Sequence, residues 1–578
     1  MARITAIELE NFQSIERRTR IDLKPITLLF GPNSAGKSAV FDALELLRTL
    51  LDPTLFNQER ATEMVDRWAR RKGNEPVRET FLAVEFLFEF EDVDKLWSND
   101  DNWMGNLNRT EAAGFYLDYE DDVVQKGLEG ATVRIELRLK VINNKYSTLC
   151  KLSEYRCLIK DKPILILAKT SSVEQESEEL DYRSGKHDDW RRWLCIHNDF
   201  GFVSMSLMSD LFRMPEGEAR NWILVGGEFE RRVQTDVISM SLSPIMISPD
   251  AFHDRGGRQD ASSRICRNAN AILFYFGVLL FRDLRAQPGI VMSDRRAPKP
   301  NEAMAVVDLG LRGWGSGHIF SPSSPAALLM TGAAKLDEHF QGLAEIAHAD
   351  LLVRVASDNF WSGDLVAEQV QTVRNRARTF ERVNHHLEKS LFTEKLYRLS
   401  CASTLMVPID LTEDDPWYAL AQPAAVRLFL QDGDGQKVEL QDVGSGIPFV
   451  LPVLYVVARQ GFVKVQQPEL HLHPALQSSL GDVFVEELNR IGVGQFLIET
   501  HSEHILLRLL RRIRDTENRK SLSDDIKLSS KDVAIYYFDP QVSGGTIVTQ
   551  QLVTPLGDFY TDWPRGFFSE RNGDLFED

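Results

Sequence analysis

The residues with the clearest chemistry are Gly31-Pro32-Asn33-Ser34-Ala35-Gly36-Lys37-Ser38, which fit G-x-x-x-x-G-K-[ST] without exception. The five residues before them, Ile26-Thr27-Leu28-Leu29-Phe30, read as a buried strand, and residues 39–47 read as a helix. A glycine-bearing turn between strand and helix lets backbone N–H groups close around phosphate oxygens, and the helix N-terminus adds a favourable dipole. The candidate nucleotide contacts are therefore Asn33, Ser34, Ala35, Gly36, Lys37, Ser38 and Ala39. Lys37 is placed to reach the β- and γ-phosphates, and the Ser38 hydroxyl to ligate Mg2+.

A second constellation lies far along the chain. Gln441-Asp442-Val443-Gly444-Ser445-Gly446-Ile447 is a glycine-rich turn entering an apolar helix over 448–458. A strand over 462–465 leads to Gln466-Gln467-Pro468-Glu469-Leu470-His471-Leu472-His473-Pro474, and after a further helix a strand over 496–499 ends in Thr500-His501-Ser502. A glycine turn at a helix N-terminus is a second anion site. His471 and His473, two apart on a strand-like segment, could chelate a metal, but no third ligand or acid lies at a suitable spacing.

The elements that must position these residues fall in 578 residues, too many for one ordinary core. Strands are expected over 4–10, 18–23 and 80–91, with a charged, helical segment over 52–74 between them. Residues 92–200 mix acidic runs (118–122 and 174–181) with strand-like pieces at 131–141 and 154–168, which reads as an α+β insertion. A buried helix is expected over 268–281. From 333 to 397 the pattern changes to two long helices broken near Phe360-Trp361-Ser362-Gly363, either a short helical arm or two packed surface helices. The resulting division is 1–91 as an N-terminal lobe with the phosphate loop, 92–260 as the insertion, 261–332 as a return to the core, 333–398 as the arm and 399–578 as a C-terminal lobe.

Composition excludes several classes. Hydrophobic content of 43% with 26% charged residues is that of a soluble globular protein, and no apolar run has the length of a membrane span. The chain opens directly on a strand pattern with no signal-peptide apolar region, so a cytoplasmic protein is expected. Five scattered cysteines, never in a C-x-x-C spacing, suggest neither a disulfide framework nor a zinc site. A formal charge of −18 argues against coating nucleic acid with the whole surface. The basic groups Arg67, Arg70, Arg71, Lys72 and Arg508, Arg511, Arg512, Arg514 read as solvated faces or contacts to acidic partners.

Over about 1–50 and 425–570 the chain resembles the ABC/SMC-type ATPases. Within them it is similar to the overcoming-lysogenization-defect (OLD)-like branch, which includes the PtuA component of Septu-type and retron-associated anti-phage defence systems. The resemblance implies an α/β fold, a P-loop ABC/SMC-type ATPase head split in sequence, with a large α+β insertion and a short helical arm. It implies ATP and Mg2+ as cofactors. It makes residues 443–446 the signature motif, in which Gly444, Ser445 and Gly446 contact the γ-phosphate of ATP held by the opposing protomer. It makes 462–467 the Walker B strand and His501 the switch histidine, and it reads the His-x-His at 471–473 as a structural loop. Arg295-Arg296 are similar to a loop near the nucleotide, and 562–570 to the tail of this branch.

One departure from the pattern matters more than the match. The Walker B acids, the first holding Mg2+ through water and the second polarising the attacking water, are here Gln466 and Gln467. An amide can orient water but carries no charge and accepts no proton at neutral pH. Weak Mg2+ binding through Ser38 and Gln466 and slow hydrolysis are expected, with Gln466, Gln467 and His501 as the catalytic positions. Gln467 occurs in this branch; Gln466 is either a natural degeneration or an engineered change from Glu. Glu469 is an alternative base, although the turn after it points it at the backbone or a neighbouring protomer. Two functions follow: an ATPase that opens and closes a dimer to act on DNA, or an ATP-dependent scaffold that restrains a partner. The paired glutamines favour the scaffold. The implied partners are a second copy of the chain, an HNH-type nuclease and DNA or RNA, with no membrane.

Overall fold

The computed structural model describes residues 3–51, 58–72, 75–76, 79–87, 130–144, 147–169, 190–196, 222–225, 228–235, 290–292, 304–307, 338–355, 367–405, 424–459, 461–491, 494–519, 523–542, 544–561 and 563. The acidic runs at 118–122 and 174–181, the helix expected over 268–281, Arg295-Arg296, the break near 360–363 and all of the 562–570 tail except Trp563 lie outside the described residues.

The chain opens with β1 (Arg3–Glu10), β2 (Thr19–Asp22) and β3 (Ile26–Phe30), then α1 (Ser38–Leu51) and α2 (Gln58–Trp68). Strands β4 (Arg71–Lys72), β5 (Glu75–Pro76), β6 (Thr80–Leu87), β7 (Thr132–Asn144), β8 (Ser147–Ile159), β9 (Lys162–Lys169), β10 (Trp190–Ile196), β11 (Trp222–Val225) and β12 (Glu228–Thr235) follow. After β13 (Ile290–Val291) and β14 (Met304–Val307) come α3 (Glu338–Val355), α4 (Ala367–His385), a π-helical turn over His386–Leu391, and β15 (Arg398–Leu405), β16 (Ala424–Gln431) and β17 (Lys437–Val438). The last stretch holds α5 (Gly446–Arg459), β18 (Phe462–Gln466), α6 (Pro474–Ile491), β19 (Gln495–Glu499), α7 (Glu503–Glu517), β20 (Val533–Pro540) and β21 (Thr546–Gln550).

These elements form two compact units. The first takes residues 1–23, 31–286 and 536–549, and its frame is a nine-stranded sheet in the order β11-β12-β10-β9-β8-β7-β6-β1-β2. Every neighbouring pair in that sheet is antiparallel. Alternation explains the central strands: Val133, Ile135, Leu137 and Leu139 of β7 are buried while the residues between them are partly exposed, the period of two that a sheet with one covered face requires. The expectation of one strand-like piece over 154–168 is corrected, because the chain reverses at Lys160-Asp161, both with positive φ (49° and 64°), and makes the β8–β9 hairpin. The helical segment expected over 52–74 is likewise shortened. Its described helix is α2, after which Arg71–Lys72 pairs as a strand with Glu75–Pro76.

The second unit takes residues 24–30, 287–535 and 550–578. Its core is parallel, with β13, β18, β19 and β3 side by side in that order. All five residues of β3, β18 and β19 are buried, as expected for strands covered on both faces. Helix α5 is apolar all round and buried from Ile447 to Ala458 except for half-buried Phe449, so it is an interior element rather than a surface helix. In the same unit, β14, β16 and β15 form an antiparallel sheet with β17 paired to β16. The second of the two long helices expected over 333–397 is α4 ending at His385, then the π turn, then a turn through Leu396 (φ 48°).

Candidate nucleotide-binding site

The cradle belongs to the first unit. Its two framing glycines sit in backbone conformations that a side chain would obstruct. At Gly31 (φ +144°) a Cβ would fall 2.5 Å from the carbonyl oxygen of Phe538, and at Gly36 (φ +87°) it would fall 1.8 Å from Ser14 Oγ. Ser34, at φ 62°, completes the curl of the loop. A brace comes from β21, where Thr546 Oγ1 donates to the Ala35 carbonyl at 2.8 Å and the Thr546 N–H donates to the Ser14 carbonyl at 2.8 Å. Gln13, beside Ser14, donates to Asp42 Oδ2 of α1 at 2.6 Å, and burial pushes the Asp42 carboxyl above its ordinary value.

Within the loop, Lys37 is buried and its Nζ donates to the carbonyls of Gly31 (3.0 Å) and Pro32 (2.9 Å). Both acceptors are neutral, so a phosphate offered at the same place is a stronger partner for the ammonium. The N–H groups of Ala35 and Ala39 are used inside the motif, on the Pro32 and Gly36 carbonyls. Asn33 and Ser34 are exposed, and Ser38 is the half-buried first residue of α1. Glycines without room for a Cβ, a folded-back lysine and a hydroxyl at a helix start fit a nucleoside triphosphate with Mg2+. Lys37 would hold the phosphates and Ser38 the metal, whose charge would offset that of the phosphate oxygens.

The other motifs belong to the second unit. Parallel register sets Gln466, the last residue of β18, opposite Glu499, the last of β19, and Gln466 Nε2 donates to Glu499 Oε2 at 3.1 Å. Gln467 takes a left-handed conformation (φ 47°) and donates its N–H to the Glu499 carbonyl at 2.7 Å. Glu469 reaches back to the next strand exit: Oε2 accepts from Thr500 Oγ1 and Oε1 from the His501 N–H, both at 2.8 Å. Ser502 then caps α7, accepting from the Ile505 N–H at 3.1 Å while its hydroxyl donates to Gln477 Oε1 at 2.7 Å. Glu469 thus fixes the backbone of His501, whose side chain is half-buried.

The glycine turn at the start of α5 packs on the loop that follows β18. A Cβ on Gly446 would lie 2.9 Å from the His471 carbonyl oxygen, and the Phe449 and His471 rings meet at a tilt of 52° with centroids 4.2 Å apart. The outer part of this turn is open. Gly444 and Ser445 are exposed, and nothing lies within 4 Å of a Cβ placed on Gly444. His473 accepts from the Ala475 N–H at 3.3 Å at the start of α6. Both histidines of the His-x-His pair are thereby occupied in shaping the loop.

The basic residues of α7 have acidic neighbours inside the unit. Arg508 and Arg512, one helical turn apart, both bond Asp482 of α6, Arg514 bonds Asp558, and Arg511 lies 3.5 Å from Asp515. In the first unit Arg70 bonds Glu16 and the Ser14 carbonyl. Sequence reasoning assigned no role to Glu499. The signal was its place at the exit of a buried strand, directly before Thr500-His501, where a carboxylate is costly unless it has a purpose.

Two family models match the chain: "AAA ATPase domain" over residues 3–191, and "AAA domain, putative AbiEii toxin, Type IV TA system" over 318–507. Each model covers about a third of the chain, and together with the cradle they support AAA-type ATPase domains in an α/β fold, in two matches separated in sequence. No curated protein sequence matches it. Among solved structures it is similar to an SmcHead bound to the C-winged helix domain of ScpA, at 11% identity and TM-score 0.37, covering 95% of this chain and 98% of that one. It is also similar to an Smc head domain with an extended coiled coil bound to the C-terminal domain of ScpA, derived from Pyrococcus furiosus (13%, TM-score 0.34, 95% and 96% covered). A third is the SMC head domain from Thermotoga maritima (10%, TM-score 0.31, 95% and 98% covered).

Proposed function

We propose that the chain is the ATP-binding, ABC/SMC-like subunit of a prokaryotic anti-phage defence complex, of the OLD-like, PtuA-related kind. ATP binds at Lys37 and Ser38 and is capped by Gly444, Ser445 and Gly446 of a second copy. The resulting homodimer or larger assembly acts in the cytoplasm, where it holds and restrains a partner nuclease of the HNH type and turns ATP over slowly or not at all.

The observation that carries the slow-turnover reading is the state of the carboxylates around β18. The two positions expected to be acids are amides, and the Gln466 amide nitrogen bonds Glu499. The replacement next along the chain, Glu469, has both oxygens engaged by Thr500 and His501. A carboxylate that accepts two hydrogen bonds is stabilised as an anion and is a poor proton acceptor. Among the described residues Glu499, which Gln466 bonds, could lend negative charge to a cation at Gln466, and this supports binding of Mg2+ more than activation of water. The exposed Ser445 turn supports capping in trans, and the toxin–antitoxin description of the matched model is in keeping with a two-component system. No described helix is long and apolar enough to cross a membrane.

The test measures particle mass and phosphate release together. Mass should rise with ATP and Mg2+ while steady-state phosphate release stays slow, and Lys37→Ala should abolish the mass change. Brisk phosphate release by the unaltered protein would overturn the scaffold reading in favour of a hydrolysing ATPase that acts on DNA or RNA.

A further inference from the structure

At the end of α4 the chain carries adjacent histidines, and near the end of α6 it carries adjacent glutamates. The fold of the second unit brings the two pairs together. His385 Nε2 lies 2.8 Å from Glu486 Oε1, and His386 Nδ1 lies 3.8 Å from Glu486 Oε2. One ligand atom from each of His385, His386 and Glu486 fits within 4.8 Å of the others. A tetrahedral Zn2+ with bonds of about 2.0–2.1 Å separates its ligand atoms by roughly 3.4 Å, so the three groups are spaced for one ion with small side-chain rotations.

The second independent feature is behind the ring. His386 is fully buried, and its Nε2 meets Glu487 Oε1 at 2.7 Å, with Glu487 equally buried. Arg382 lies 3.7 Å from one Glu487 oxygen and Arg490 3.5 Å from the other. With Nε2 held by Glu487, Nδ1 is the ring nitrogen that faces Glu486. A carboxylate that orients a ligand histidine through its far nitrogen is the usual support of a zinc-type site. The π turn starts at His386, and Ser390 Oγ, 3.3 Å from Nδ1 on the same turn, is a hydroxyl that can rotate away. His385 is 43% exposed, so an ion reaches the group from solvent.

We infer that His385, His386 and Glu486 form a binding site for one divalent transition-metal ion of the zinc class, with Glu487 as the positioning residue for His386 and water completing the coordination. Bound there, the ion fastens the end of α4 to α6. It is separate from the Mg2+ expected with ATP, and it uses none of the residues assigned to nucleotide.

Full-length protein stripped of metal and titrated with Zn2+ should take up about one equivalent and melt at a higher temperature. Co2+ should give the visible absorption of a tetrahedral site. His385→Ala and Glu486→Gln, both at the exposed side of the group, should each lose this uptake, the absorption and the thermal shift while binding ATP normally. His471→Ala with His473→Ala should keep all three. Zn2+ uptake that is absent, or unchanged in His385→Ala and Glu486→Gln, would overturn the assignment.

Discussion

The cradle around Lys37 and the glycine turn at Ser445 are both anion-seeking backbone at a helix start, yet they are built in opposite ways. The first is clamped: Phe538 and Ser14 occupy the space where Cβ atoms of Gly31 and Gly36 would sit, and Thr546 ties down Ala35. The second is clamped on its inner side only, by the His471 carbonyl against Gly446, and open at Gly444 and Ser445. A site that is pre-shaped on all sides binds its ligand without ordering cost. A site left open on one side is completed by whatever docks there.

The largest effect should come from filling the clamped side. Gly31→Ala adds a Cβ against a backbone carbonyl that cannot turn away, in a strained φ region, a combined cost on the order of 2–6 kcal/mol. The first unit should lose stability in chemical denaturation, with loss of ATP binding by calorimetry. An unchanged denaturation midpoint would mean that the loop is looser than the geometry says.

Acid should distinguish the units next. His348 of α3, in the second unit, is held neutral by burial, with its pKa lowered from 6.5 to about 4. Because the unfolded chain takes up this proton at higher pH than the folded one, stability is complete above about pH 6.5 and falls as pH drops toward 4, by about 3 kcal/mol at most. Unfolding at pH 7.5 and 4.5, followed by probes in each unit, should show the second unit weakening by more than in a His348→Phe variant. Equal acid sensitivity in that variant would remove His348 as the cause.

A smaller change is expected from restoring charge. Gln466→Asp with Gln467→Glu should raise phosphate release about tenfold or more, a barrier change of about 1.4 kcal/mol, with ATP affinity at the cradle nearly constant. Unaltered turnover would place the block elsewhere than in the two amides. Smallest of all, Gly444→Ala enters open space and should shift stability by no more than about 0.5 kcal/mol. Under the proposed capping in trans it should nevertheless weaken the ATP-dependent rise in mass; full retention of that rise would remove Gly444 from the contact.

How much of this was legible depends on the range of the forces involved. The cradle is a local pattern, a buried strand, a glycine turn and an apolar helix, and each part is encoded within about twenty residues. The strands β18 and β19 were readable for the same reason. The β8–β9 hairpin was not, because its turn is Lys160-Asp161 rather than the Asn-Gly or Asp-Gly that usually supplies two left-handed residues. Nor could pattern show that β7 to β12 continue the sheet begun by β1, since strand order rests on pairing between distant residues. The group at His385, His386 and Glu486 is likewise assembled across about one hundred positions, and each doublet alone reads as an ordinary surface pair. Glu469 was half-read: its turn toward the backbone was anticipated, but its partners Thr500 and His501 required the fold.

The hydroxyl that steadies Ala35 arrives 511 residues later in the chain. During synthesis, therefore, the ribosome must add 511 residues beyond Ala35 before the phosphate pocket acquires this wall. Nascent chains that have not yet reached Thr546 should hold nucleotide less firmly than chains that have passed it.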